Sequence, residues 1–252
     1  MPDSKLRFSS RVENYVKYRP GYPPEVIHTL TTTCGLKPAS KVADIASGTG
    51  LFTRLLLDNG NQVFAIEPNA EMRDAGEKFL SGYPNLTTLS GSAEATTLRD
   101  HSVDFITAAQ AAHWFDRDKA RREFVRILKP GGWCALIWNE RQTATTPFLR
   151  AYEEVLLKYG TDYQDVRHER TTETIAEFFR PSLYREQVFP SRQEFDYAGL
   201  EGRLNSSSYA PEPGNPNHEP MLKALRAVFD KFNLSGQVAF EYNTRLFCAQ
   251  LA

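Results

Sequence analysis

Cysteine is scarce. The 252 residues hold three, Cys34, Cys134 and Cys248, and their odd number and wide spacing argue against a disulfide framework. There is no Cys-x-x-Cys pair, so nothing points to a metal site. No apolar run approaches the length of a membrane span, and the opening MPDSKLRFSSR lacks the apolar core of a secretory signal. An excess of one charge is also missing. A formal net charge of −1 and a pI near 6.5 provide no global basic field, which disfavours nucleic acid as a partner. No internal repeat or interdomain linker is visible. These absences predict a single-domain cytoplasmic protein with no metal, no nucleic acid and no membrane span.

What is present is an ordinary globular composition, 41% hydrophobic and 24% charged. A chain of this size buries roughly three quarters of its unfolded surface. Short apolar runs alternate with amphipathic stretches in the first half, the pattern of βαβ units and a parallel sheet. Strands are expected at Lys41–Ala46, Gln62–Glu67, Leu86–Ser90, Val103–Ala108 and Trp133–Asn139, the last entered through a turn at Lys129–Gly132. Helices are expected from Leu51 to Asp58, from the cap Asn69 to Leu80, and from the cap Asp116 to Leu128. Right-handed crossovers then make the sheet doubly wound. The second half is less regular, with helices at Pro147–Tyr159, Thr171–Phe179, Glu194–Leu204 and Met221–Phe232. A short strand is expected at Gln187–Phe189, a proline-rich surface loop at Pro211–Pro220 and a closing strand at Val238–Leu251.

The informative segment is the turn after the first strand, Asp44-Ile-Ala46-Ser-Gly48-Thr-Gly50. Its two glycines let a ligand approach the backbone. A dinucleotide fingerprint would need a third glycine at position 53, where Thr53 stands, and a P-loop would need Gly-Lys-Ser/Thr where Leu51-Phe52 stands. Asp44, at the carboxyl end of its strand, would repel a pyrophosphate and suits a cationic amine. Glu67, at the end of the second strand, is placed to accept from both hydroxyls of a ribose. A ribose, a cationic amine and no phosphate describe S-adenosylmethionine.

At these residues the chain resembles the class I S-adenosylmethionine-dependent methyltransferases, in particular the small UbiE-like and trans-aconitate-methyltransferase-like group. Asp44–Gly50 looks like the family's first motif, with Ala46 where glycine is more usual. Glu67-Pro68-Asn69, Ser92-Ala93-Glu94, Asp104–Phe115 and Leu128–Gly132 follow in the family's order, so the likeness covers roughly residues 8–140. It implies an α/β, Rossmann-like, mostly parallel seven-stranded sheet with an antiparallel last strand and a helical cap. It also implies one methyltransferase domain over 1–252: an N-terminal lid or lead-in (1–35), a cofactor-binding core (36–140), an acceptor-side cap (141–237) and a closing strand (238–252).

By that resemblance the cofactor contacts are Tyr18, Arg19, Asp44, Ala46, Gly48, Gly50, Glu67, Pro68, Ala93, Glu94 and Gln110. Within Phe8–Tyr22, Arg19 would pair with the methionine carboxylate, and Tyr15 and Tyr18 would cover the sulfonium. His113 is the candidate catalytic or acceptor-positioning residue. Members that methylate exocyclic base amines or glutamine amides carry Asp/Asn-Pro-Pro-Tyr/Phe where this chain has Gln110-Ala-Ala-His113. A small-molecule acceptor is therefore expected. A non-catalytic cofactor-binding protein and an NAD(P)-dependent reductase are the alternatives.

Overall fold

In a computed structural model, residues 17–163 and 171–251 are described, and they build one seven-stranded sheet flanked by helices. The strands are β1 Lys41–Ile45, β2 Gln62–Ile66, β3 Leu86–Leu89, β4 Val103–Ala109, β5 Leu128–Arg141, β6 Arg185–Phe195 and β7 Val238–Gln250. Their order is β3-β2-β1-β4-β5-β7-β6. The pairs β1–β2, β1–β4, β2–β3 and β4–β5 are parallel, whereas β7 runs antiparallel to both β5 and β6. This is the expected doubly wound sheet with one reversed strand. Chain order reverses direction between β1 and β4, so the carboxyl ends of these strands open a crevice.

The helices are α1 Glu25–Cys34, α2 Leu51–Asp58, α3 Ala70–Phe79, α4 Arg117–Ile127, α5 Pro147–Tyr159, α6 Thr171–Phe179, α7 Tyr197–Asn205 and α8 His218–Phe232. Three apolar clusters hold the elements together. One face of the sheet buries Ile45, Ile106 and Phe247 against Phe124 of α4 and Phe178 and Phe179 of α6. The other buries Val42, Val63 and Ile137 against Val26 and Leu30 of α1 and Phe52 and Leu56 of α2. The third joins α5, α7 and α8 around Phe240 and Tyr242, at the start of β7.

Several boundaries differ from expectation, each for a physical reason. α1 has no clear sequence signal because its TLTTTC run is rich in β-branched residues. Thr31 and Thr32 hydroxyls instead bond back to the carbonyls of Ile27 and His28, at 2.9 and 3.0 Å. The expected turn at Lys129–Gly132 lies inside β5: Leu128 still pairs with Val103, and the register shifts before Trp133 meets Phe105. β6 is far longer than Gln187–Phe189, because Pro190 sits on the outer edge of the sheet, where a missing N–H is harmless. The helix expected from Glu194 begins only at Tyr197, where Asp196 accepts from Gly199 N at 2.7 Å. The proline-rich loop ends at Asn217, since Pro220 fits the first turn of α8.

Candidate cofactor and acceptor site

Strand β1 delivers Asp44 to the crevice almost wholly buried, 1% exposed. Both carboxylate oxygens are occupied: Thr53 Oγ1 donates to Oδ2 at 2.6 Å and Thr107 Oγ1 donates to Oδ1 at 2.7 Å. Burial pushes the Asp44 carboxyl up to about 6, against the pull of the two hydroxyls, with the charge of Glu67 pushing the same way. Thr53, whose presence breaks the dinucleotide fingerprint, is thus the residue that fastens Asp44 from α2. Thr107, its second anchor on β4, carries no recognisable motif.

The turn that follows is conformationally demanding. Ala46, Gly48 and Gly50 all take left-handed backbone angles, with φ of 52°, 58° and 83°. At Gly50 an added Cβ would fall 2.5 Å from Leu80 Cδ1, so glycine is needed there on two counts. Ala46 has no such freedom and sits strained beside the cleft. The turn is closed by Gly50 N donating to Ser47 O at 2.9 Å and is tied to β2 by Ser47 N donating to Ile66 O at 3.1 Å.

Glu67 stands at the end of β2, buried, and accepts from Gly48 N and Asn69 N, each at 2.9 Å. Burial raises its carboxyl above the usual range, while those two amides and Arg73 oppose the shift. Asn69 in turn caps α3 through Met72 N at 2.9 Å. On the opposite wall Ala93 is buried and Glu94 accepts from Asp116 N at 2.9 Å, which fixes the loop to the start of α4. Gln110, at φ 58°, leaves β4 with its Nε2 donating to Asn139 O at 3.0 Å. Its Oε1 is buried without a hydrogen-bond partner among the described residues, as is Thr49 Oγ1.

These residues line a cleft that is open to solvent on one side. Ala46, Gly48, Glu67, Pro68, Ala93, Glu94 and Gln110 line it as expected, together with Met72, Trp114 and Phe115. An adjoining recess of about 340 Å³ is lined by Asp44, Thr49 and Tyr22, among others. Gly50 borders a smaller hollow behind the turn.

Two expected contributors lie elsewhere. Arg19 Nη2 donates to Ser206 O at 2.8 Å, and the ring of Tyr18 packs so closely on Gly202 that a Cβ there would lie 2.1 Å from it. Neither lines the cleft or the recess. From the same segment it is Tyr22, edge-on to Phe52 at 5.1 Å, that reaches the Asp44 recess. Tyr15 and the rest of the segment up to residue 16 lie outside the described residues. His113, on a short 3-10 turn over Ala112–Trp114, is exposed, with its ring 4.3 Å from Trp114 and 5.0 Å from Trp138. It stands beside the cleft, next to two wall residues, and does not line it.

The donor set fits S-adenosylmethionine on the structure's own terms. Two buried carboxylates and an unpaired amide oxygen suit a cation and a diol, whereas the same carboxylates would repel a pyrophosphate. Among the described residues no cluster of histidine, cysteine or acidic side chains is arranged to hold a metal, and no helix is long and apolar enough to cross a membrane.

Comparison with known proteins agrees with this geometry. Residues 43–136 match the family described as a methyltransferase domain. An uncharacterised methyltransferase of Mycobacterium tuberculosis is 37% identical over 163 residues, covering 65% of this chain and 64% of its own length. One from Schizosaccharomyces pombe is 29% identical and covers 80% and 78%. The chain thus spans a little under two thirds of the mycobacterial relative. A solved structure from Anaeromyxobacter dehalogenans, described as a type II methyltransferase, superposes with a TM-score of 0.65 at 23% identity over 92% of this chain and 97% of that one, a likeness of fold. Residues 43–136 of the chain are thus similar to a methyltransferase domain, and its fold is that of a solved methyltransferase.

Proposed function

We propose that this chain binds S-adenosylmethionine in the cleft over β1, β2 and β4 and transfers its methyl group to a small-molecule acceptor. The observation that carries this reading is the pair of buried carboxylates, Asp44 and Glu67, at adjacent strand ends, with Gln110, whose Oε1 is buried and unpaired, in the lining of the cleft. When bound, the donor would supply an electrophilic methyl group, with its neutral thioether as the leaving group for in-line attack by the acceptor.

The protein's part is binding, alignment and exclusion of water. Glu67 accepts from the ribose hydroxyls with the lone pairs that Gly48 and Asn69 leave free. Asp44 supplies negative charge near the amine, and Gln110 Oε1 accepts one of its protons. Ala93 and Glu94 border the adenine, with Met72 and Phe115 as the apolar walls of that end. Tyr22 covers the recess beside Asp44. His113 and Trp114 present an aromatic edge where an acceptor would approach, backed by the buried Trp138. Exposure of His113 favours an orienting role over that of a buried base.

Calorimetric titration with S-adenosylmethionine, NAD and NADP tests the donor assignment. Micromolar binding of the first, about −8 kcal/mol, without binding of the other two is expected. Binding of either dinucleotide in its place would refute the reading.

A further inference from the structure

One buried residue on β5 meets three separate parts of the chain, and it lies beyond Gly132, where the family-like motifs end. Asn139 is 5% exposed. Its Nδ2 donates to Gly21 O at 2.9 Å, and its Oδ1 accepts from Thr244 Oγ1 at 2.6 Å. Its main-chain oxygen accepts from Gln110 Nε2 at 3.0 Å. Thr244 is its register partner on β7 and is wholly buried. The segment before α1, the exit of β4 and the reversed strand are thus joined at a single residue.

The side-chain amide answers two different demands. A carbonyl such as Gly21 O can only accept, so it takes the N–H end, and this turns the amide oxygen toward the Thr244 hydroxyl, which donates. Aspartate would set a carboxylate against the Gly21 carbonyl. Leucine would leave both polar partners unanswered, one of them fully buried.

What the amide holds is the approach to Tyr22. The stretch Pro20-Gly-Tyr22-Pro23-Pro24 belongs to no helix or strand, and three of its five residues have no N–H to give. The fold reaches this segment through carbonyls: Gln193 Nε2 donates to Tyr18 O at 3.3 Å, and Asn139 donates to Gly21 O. Gly21 itself is exposed, and a Cβ there would meet nothing, so a hydrogen bond rather than packing locates this point. The next residue, Tyr22, sets its ring edge-on to Phe52 and lines the recess with Asp44 and Thr49.

We infer that Asn139 is a positioning residue: its amide, aligned by Thr244, pins Gly21 so that Tyr22 closes the recess beside Asp44, and through Tyr22 it strengthens donor binding. The last step rests on the donor reading above, but the pin can be measured on the unliganded chain. Asn139→Asp removes the N–H that faces Gly21 O and keeps the main-chain carbonyl for Gln110. It is compared, in the full chain, with Thr244→Val, Thr244→Ser, Tyr22→Ala and the double variant Asn139→Asp/Tyr22→Ala. The initial rate of tryptic cleavage after Lys17, without ligand, reports how often the segment lifts. Calorimetry gives the affinity for S-adenosylhomocysteine.

Asn139→Asp should speed the cleavage by roughly 5–20-fold and weaken S-adenosylhomocysteine by roughly 3–10-fold. Thr244→Val should do the same in smaller measure, and Thr244→Ser, which keeps the hydroxyl, should behave as the unaltered protein. Tyr22→Ala should weaken the ligand by itself, and adding Asn139→Asp to it should cost no further affinity, because the two act through one contact. Unchanged cleavage in Asn139→Asp, unchanged affinity in a chain that binds the ligand, or a second full loss in the double variant would each overturn the inference. If Asn139→Asp does not fold, Thr244→Val against Thr244→Ser decides by the same two readings. Failure of the unaltered chain to bind S-adenosylhomocysteine would refute the donor reading, and cleavage after Lys17 would still decide the pin.

Discussion

Replacing Asp44 with asparagine should move stability and donor binding in opposite directions. The carboxyl is raised from an ordinary 3.8 to about 6, chiefly by burial. A shift of about 2 units corresponds to roughly 3 kcal/mol that the folded protein forfeits once Asp44 is ionised. The sign follows from proton counts. Between pH 4 and 6 the folded state holds more protons at this site than the unfolded chain, so stability from this group falls as pH rises and is lowest above 6. Asparagine keeps the shape, and its amide can accept from one threonine hydroxyl and donate to the other, since each hydroxyl rotates to suit.

Denaturant unfolding at pH 7 should therefore show Asp44→Asn more stable by about 1–3 kcal/mol, with the gain disappearing near pH 4. Donor affinity should fall by about 1.5–3 kcal/mol, because a charged partner of the amine is gone. In the unaltered protein donor affinity should weaken as pH drops through 6, and in the variant it should not. A variant that is less stable at pH 7 yet binds S-adenosylmethionine normally would refute this reasoning. Asp44 would then be only a pin between Thr53 and Thr107.

Three other substitutions probe the same cleft. Glu67→Ala should weaken donor binding by about 1.5–3 kcal/mol by calorimetry, and should also destabilise the fold, because Gly48 N and Asn69 N lose their acceptor; unchanged affinity would remove Glu67 from the ribose. Ala46→Gly relieves a left-handed alanine and should stabilise the protein by about 1 kcal/mol in denaturant unfolding, whereas a loss of stability would mean the strain is not real. His113→Ala should raise the Michaelis constant for the acceptor and leave the pH profile of turnover alone; loss of an ionisation near 6–7, with a roughly 10²–10⁴-fold drop in turnover, would identify it as a base instead.

What depends on neighbours along the chain is legible in the residues alone. The alternation of β1–β4 with α2–α4, the glycine turn and the caps Asn69 and Asp116 are local, and periodicity or a single side chain reports them. The acidic residues at strand ends were equally legible, because a strand's direction and the turn after it say which end faces the crevice. Tertiary structure decided what depends on distant partners. Thr107 reaches Asp44 from 63 positions away, and no local pattern marks it. Tyr18, Arg19 and Tyr22 look equivalent in sequence. Only the fold sends the first two toward Gly202 and Ser206 and the third to the recess. α1 leaves no signal in the sequence because tertiary packing of Val26 and Leu30 outweighs the weak helix propensity of its threonines. Arg19, Arg141 and Arg203 converge on Tyr209 from three separate segments. A formal charge of −1 for the whole chain conceals them, since net charge is a sum and burial is a matter of place.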